Sequence, residues 1–203
     1  MSQQRKRQRV QGAWAASPPT AEKQGTNGPK QRTPGFNFQY EPPSQSETQA
    51  LCPRNFDWVE EGLLCAMACP SRPEHLQYLL QSNVRYVVTC MENVPKCIQE
   101  NQAITSVHLR VKSFGAPSEE QVSVFLQLME TARNEQKAVA VHCLYGNGRT
   151  GTLIACYLMK QHKLSAAESI GRLRQQRPES IENQLQEDFV YSYAKNLLQS
   201  CSV

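Results

Sequence analysis

The chain has 203 residues, enough for one domain with a core of its own plus a tail. Its net charge of +4 lies wholly within residues 1–50, where seven Lys/Arg face three acids, so residues 51–203 balance to zero. No stretch approaches the ~18 apolar residues of a membrane-spanning helix, and "MSQQRKRQRVQG" has charge but no apolar run behind it, which argues against a leader or a membrane segment.

Residues 1–50 hold six of the twelve prolines and nine glutamines with no apolar period, so they are expected to form a disordered basic tail, with the domain starting near Leu51. The run "RKRQR" in that tail is a weak nuclear-entry or nucleic-acid signal, and the chain is expected to be cytoplasmic and in part nuclear. Ser2 stands where myristoylation needs glycine, and Cys201 is one place short of a prenylation box. The eight cysteines read as buried thiols of a reducing compartment. Cys65, Cys69 and His75 lack the paired spacing of a zinc site, so no metal is expected.

Taken in order, Arg72 to Gln81 reads as a helix with Pro73 in its first turn, where a missing N–H costs nothing. "VRYVVTC", Val84 to Cys90, suits a buried parallel strand, and "ITSVHLRV", Ile104 to Val111, alternates as a partly exposed one would. A helix runs from Ser118, whose capping box closes on Gln121, to about Glu135. "AVAVHC", Ala138 to Cys143, is again a buried strand. Thr150 to His162 reads as a buried central helix, a further helix opens at Ser165 with Glu168 as its reciprocal cap, and the last spans about Ile181 to Leu198. Strands alternate with helices and then helices follow one another, which predicts an α/β fold with a mostly parallel central sheet flanked by helices.

The loop "HCLYGNGRTG" therefore sits between a strand and a helix, at the sheet edge where α/β folds bind ligands. Gly146 and Gly148 permit a close backbone approach and a positive φ, so successive N–H groups can form an anion nest at the positive end of the following helix. Those N–H groups and Arg149 favour a thiolate at Cys143, a nucleophile aimed at phosphorus. Arg149 can fork two hydrogen bonds to a phosphoryl group, and Thr150 places a hydroxyl near the sulfur. A kinase or NTPase is excluded, because the loop lacks the P-loop lysine followed by Ser/Thr and no other nucleotide fingerprint is present.

"HCLYGNGRTGT" resembles the signature of cysteine-dependent protein tyrosine phosphatases. From Asn55 to about Tyr193 the chain is similar to the atypical dual-specificity phosphatases of the VHZ type. The resemblance implies a dual-specificity phosphatase-like fold over residues 51–203 and no cofactor. Cys143 would be the phosphocysteine nucleophile, Leu144, Tyr145, Gly146, Asn147 and Gly148 would wrap the phosphate, and Arg149 would bind it. "RPESIE", Arg177 to Glu182, and Gln186 match elements that stand beside the cradle in this family.

One position departs from the pattern. Lys112 and Ser113 stand where the family has Pro and the general acid Asp, and a serine cannot protonate a leaving alkoxide at neutral pH, a loss worth a factor of ~10² to 10⁴. Glu119, Glu120 and Glu182 are the candidates to replace it. The expected activity is hydrolysis of phosphotyrosine, and less readily phosphoserine or phosphothreonine, in a phosphoprotein or phosphopeptide. Two alternatives stand beside it: an RNA 5′-phosphatase, for which nucleic-acid contact through the tail is available but not favoured, and a binding module that has lost turnover. The sequence leaves the oligomeric state open.

Overall fold

The computed structural model describes residues 51–200. The reading of residues 1–50 as a disordered tail lies outside the described residues, as does Cys201. In chain order the elements are β1 (Asp57–Glu60), β2 (Leu64–Met67), α1 (Pro73–Gln81), β3 (Val84–Thr89), α2 (Lys96–Gln99), β4 (Thr105–His108), α3 (Glu119–Asn134), β5 (Ala138–His142), α4 (Gly148–His162), α5 (Ala166–Gln176) and α6 (Gln184–Ser200).

The five strands form one sheet in the order β1-β2-β5-β3-β4, with β1 antiparallel to β2 and every other pairing parallel. Alternation along the central strands splits the core into two faces. Val139 and Val141 of β5, with Leu64 and Ala66 of β2, face a cluster completed by α3, α4, α5 and α6. Ala138, Ala140, Cys65 and Met67 face a smaller cluster with Leu76 and Leu79 of α1 and Ile98 of α2. Cys65 is thus a core thiol, its burial pushing its pKa up, with Sγ 3.6 Å from the Val139 carbonyl. Every residue of α4 from Gly148 to Met159 is buried, which is why its sequence is apolar around most of its circumference.

Both expected capping boxes are present, Ser118 with Gln121 and Ser165 with Glu168. Several boundaries differ from the sequence expectation. Helix α4 begins at Gly148 rather than Thr150. The strand expected to reach Val111 ends at His108: Leu109 N–H still bonds the Thr89 carbonyl, and two residues on the Val111 carbonyl accepts from Arg149 instead. The last helix begins at Gln184, not Ile181: Ile181 has a φ of 63°, and the Asn183 side chain accepts the Gln186 N–H as the helix opens. Strands β1 and β2 had no counterpart in the sequence reading. Among the described residues no helix is long and apolar enough to cross a membrane.

The register sets the site. Met67, His142 and Thr89 lie level at the carboxyl ends of β2, β5 and β3, and His108 of β4 pairs with Thr89. The segments that follow, 68–72, 143–147, 90–95 and 109–118, therefore leave the sheet at one edge.

Candidate active site

The loop 143–147 has its carbonyls tied outward one after another. Leu144 O accepts the Cys69 N–H at 3.1 Å, Tyr145 O accepts the Asn55 amide at 2.8 Å, and Gly146 O accepts Arg177 Nη2 at 3.0 Å. In a trans peptide the C=O and the next N–H point opposite ways, so outward carbonyls turn the N–H groups of Tyr145, Gly146 and Asn147 inward. The Gly146 N–H accordingly donates to Cys143 Sγ at 3.3 Å. This is the anion nest that the glycines were expected to permit.

The two glycines serve different ends. Gly146 has a φ of 82°, and a Cβ there would collide with the Met67 carbonyl oxygen and lie 2.9 Å from Ala68 N. Gly148 has no positive φ; a side chain there would strike Glu182 Oε2 and meet the Gln186 amide at 2.7 Å. Glu182 and Gln186 are thereby placed against the backbone of the cradle. Gln186 is wholly buried, accepts the Glu182 N–H at 2.9 Å and donates to Gly115 O at 3.1 Å, joining the cradle to the segment that carries Ser113.

Cys143 is buried at the base of the loop, and the preceding His142 is fully enclosed. The His142 Nδ1 lies 3.2 Å from the Cys143 carbonyl, which can only accept, so Nδ1 carries the proton and Nε2 accepts from the Thr89 hydroxyl at 2.8 Å. Burial pushes the His142 imidazole down to about 4, so it is neutral at physiological pH. Arg149, in the first turn of α4, is buried too; among the described residues its hydrogen bonds all leave through Nη1, to Val111 O at 3.2 Å and Glu92 Oε2 at 3.3 Å. The Nε and Nη2 edge is left for a bidentate oxyanion contact. Thr150 Oγ is buried with no hydrogen-bond partner among the described residues. Such an orphan hydroxyl costs about 1–3 kcal/mol, and a thiolate or phosphate oxygen in the nest would satisfy it.

Of the three candidate acids, the structure brings only Glu182 to the cradle. Glu119 accepts from Asn196, and Glu120 is hydrogen-bonded by the Ser118 hydroxyl at the start of α3, which holds its carboxyl below the usual range. Ser113 is exposed, and its N–H donates to Glu92 Oε1 at 2.7 Å. Leu144 and Tyr145 present exposed side chains at the mouth, while Asn147 is pinned between Asn55 at 2.7 Å and Glu179 at 2.9 Å.

Two residues that touch the site, Glu92 and Asn55, were not singled out in the sequence, and Arg177 only as the head of "RPESIE". Glu92 bridges Ser113 and Arg149, and hydrogen bonds from its own and the Ser113 backbone N–H hold its carboxyl below the usual carboxylate range. It is ionised in the resting site and so positions Arg149 rather than donating a proton. Asn55 and the buried Arg177 hold the outer face of the loop, Arg177 through Gly146 O, Asn55 O and Asp57. The signal for Glu92 was an acid just past the end of a central strand, and for Arg177 its place at the head of "RPESIE"; Asn55 carried none, because its partner is 90 residues away.

A family model described as PTP-SAK, Swiss Army Knife protein, DSP-PTPase phosphatase domain, matches residues 53–190. The human dual specificity protein phosphatase CDC14A is 33% identical over 141 residues, covering 63% of this chain and 23% of its own length. The mouse dual specificity protein phosphatase CDC14B is 54% identical over 65 residues, 32% of this chain and 13% of its own. The chain thus spans less than a quarter of the length of these two curated relatives. Among solved structures, Tk-PTP in its active form superposes with a TM-score of 0.63 at 26% identity, covering 69% of this chain and 96% of that one. PTPMT1 has the same fold, with a TM-score of 0.63 at 21% identity over 72% of this chain and 98% of its own.

Proposed function

This chain belongs to the DSP-PTPase family of phosphatases, and from that premise we propose that it hydrolyses phosphate monoesters on proteins, phosphotyrosine more readily than phosphoserine or phosphothreonine, through a cysteinyl-phosphate. The observation that carries this reading is one buried loop in which the Cys143 sulfur lies under the Gly146 N–H while, among the described residues, Arg149 is anchored through Nη1 alone. The sulfur attacks phosphorus, the S–P bond forms as the ester P–O bond breaks, and the leaving oxygen takes a proton. Water then attacks phosphorus, the S–P bond breaks, and the sulfur departs as thiolate with inorganic phosphate released. Developing charge on the equatorial oxygens meets the inward N–H groups and the Arg149 fork.

Glu182, against Gly148, is the group we assign to give the leaving oxygen its proton and to take one from the attacking water. The preference for phosphotyrosine is supported by the exposed Leu144, Tyr145 and Phe114, which offer apolar surface to an aryl group, and by the lower protonation demand of a phenolate leaving group. The narrower kinship with the VHZ type rests on the match from Asn55 to about Tyr193.

The experiment compares pre-steady-state and steady-state hydrolysis of an activated aryl phosphate and an unactivated phosphopeptide, with Cys143→Ser as blank and Ser113→Asp as rescue. Turnover abolished by Cys143→Ser, and raised at least tenfold by Ser113→Asp on the unactivated substrate only, is expected. A burst without turnover indicates the binding module. Turnover of 5′-phosphorylated RNA in preference to phosphopeptide overturns the protein assignment.

A further inference from the structure

Two cavities lie on the Arg177 to Glu182 side of the cradle. One, of about 430 Å³, is lined by Asn147, Arg174, Glu179 and Glu182 among others. The other, of about 370 Å³, is lined by Asn55, Asp57, Arg177 and Glu179 among others. In both the guanidinium is already paired, Arg174 with Glu187 at 2.9 Å and Arg177 with Asp57, and carboxylates form part of the wall. That side is electrostatically spent.

The groove bounded by segment 110–118 and Leu185 differs. Its volume is about 490 Å³, and its lining includes Arg110, Lys112, Ala116, Pro117 and Leu185, with no carboxylate. Arg110 and Lys112 are exposed, and among the described residues neither side chain makes an ion pair or a hydrogen bond. They flank Val111, each one chain step of about 3.8 Å away, and it is Val111 O that holds Arg149 Nη1 at 3.2 Å. The groove lining includes Gly115, whose carbonyl accepts from Gln186, the residue packed against Gly148. Phe114, next to Gly115 in the chain, is 70% exposed, with its backbone at a φ of 58° and its carbonyl held by Asn183 at 2.9 Å. Leu185, 61% exposed, offers apolar surface to the stem of an entering side chain.

Resting on the reading of this chain as a protein phosphatase, we infer that this groove is a substrate subsite for an acidic side chain, Asp or Glu, two to four residues from the phosphorylated residue. Charge complementarity selects the occupant: two unpaired cations line the groove, and the cradle loop contributes no other free charge at the mouth. An extended chain covers roughly 7 to 13 Å over two to four residues, and Val111 of the groove lies within 3.2 Å of Arg149. A screened contact at each cation supports about a two- to fivefold preference, so the pair together gives about tenfold. The preference shrinks at high ionic strength, where the screening length falls to about 3 Å.

The test uses the full chain and phosphotyrosine peptides that differ only by Asp, Ala or Lys two to four residues from the phosphotyrosine, on either side. Two readouts are taken: kcat/KM with the unaltered chain, and peptide affinity with Cys143→Ser, which needs no turnover. The expected order is Asp above Ala above Lys, about tenfold from first to last. It is expected to flatten to within twofold in the double variant Arg110→Ser, Lys112→Ser and to invert with Arg110→Glu, Lys112→Glu, while aryl phosphate hydrolysis stays within twofold throughout. Equal affinities for all three peptides overturn the subsite while leaving the phosphatase reading intact if the aryl phosphate is turned over. Loss of aryl phosphate turnover in the unaltered chain sinks the enzyme reading, and the affinity series then judges the groove alone. If the double variant weakens 5′-phosphorylated RNA but not acidic peptide, the groove is a nucleic-acid contact and the inference is wrong.

Discussion

Replacing His142 with asparagine tests whether the base of the cradle depends on a buried neutral imidazole. In the folded chain His142 is enclosed, donates from Nδ1 to the Cys143 carbonyl and accepts the Thr89 hydroxyl at Nε2, so a second ring proton has no acceptor ready for it. Burial lowers its value from 6.5 to about 4. The unfolded chain therefore binds more protons than the folded one between those values, and stability is fully present above pH 6.5 and lost as pH falls toward 4. With 1.36 kcal/mol per unit, the loss is about 2 kcal/mol at pH 5 and about 3 kcal/mol at pH 4. Urea unfolding of the unaltered chain and of His142→Asn at pH 7 and pH 5 measures it, because every other titrating group, His75 included, cancels in the difference. The gap between the two proteins is expected to narrow by about 2 kcal/mol on going from pH 7 to pH 5. A gap that stays constant to within about 0.5 kcal/mol would refute the neutral, two-bonded imidazole.

Gly146→Ala is expected to lose about 3 kcal/mol of stability, from the strained positive φ and from a Cβ driven into the Met67 carbonyl, which the β2 to β5 register keeps from moving aside. Aryl phosphate hydrolysis should fall at least ~100-fold even below the melting temperature, since the displaced loop loses the N–H on the Cys143 sulfur; retention of full activity removes the nest from the mechanism. Glu92→Gln keeps an acceptor for the Ser113 N–H but removes the charge facing Arg149, and is expected to cost about tenfold in kcat/KM with little change in melting temperature. Because the Glu92 carboxyl is held low, its contribution is complete above the ordinary carboxylate value and fades only as pH falls through the lower folded one; the variant should lack that acid-side decline.

The parts of the molecule that were legible in the sequence are those whose causes are local. Ser118 with Gln121 and Ser165 with Glu168 announce helix starts within four residues, and Cys143, the two glycines and Arg149 lie in one seven-residue run. Strand β2 was illegible because Leu64, Cys65, Ala66 and Met67 are buried on both faces, so no period of two survives. Strand β1 is four residues long with a register shift after Trp58 and too little pattern to read. Glu92 and Asn55 reach the site from segments beside β3 and β1, brought together by the strand order, and Arg177 reaches the loop from the end of α5. The last helix was placed early because Ile181 continues the apolar spacing, although its positive φ is fixed from outside by Arg174, which bonds the Ser180 and Ile181 carbonyls.

The division of labour among the carboxylates follows from what each one touches. Glu92 is bonded by two backbone N–H groups and a guanidinium, all of which favour the ionised form, so it serves as an anchor and makes a poor acid. Glu119 and Glu120 are taken up at the start of α3. Of the three candidate acids, Glu182 has its carboxylate against Gly148, and its own N–H is secured by the buried Gln186. A general acid reaching in from that loop, rather than from the segment of Ser113, approaches the phosphoryl group from a different direction than the family's Asp would. If Glu182 is that acid, restoring one at position 113 adds a second proton donor rather than repairing the first. The combination of Ser113→Asp with Glu182→Gln separates the two: if Glu182 is the resident acid, the single Glu182→Gln loses turnover on the unactivated phosphopeptide by ~10²-fold and the double variant regains it, whereas the aryl phosphate with its good leaving group changes little in either.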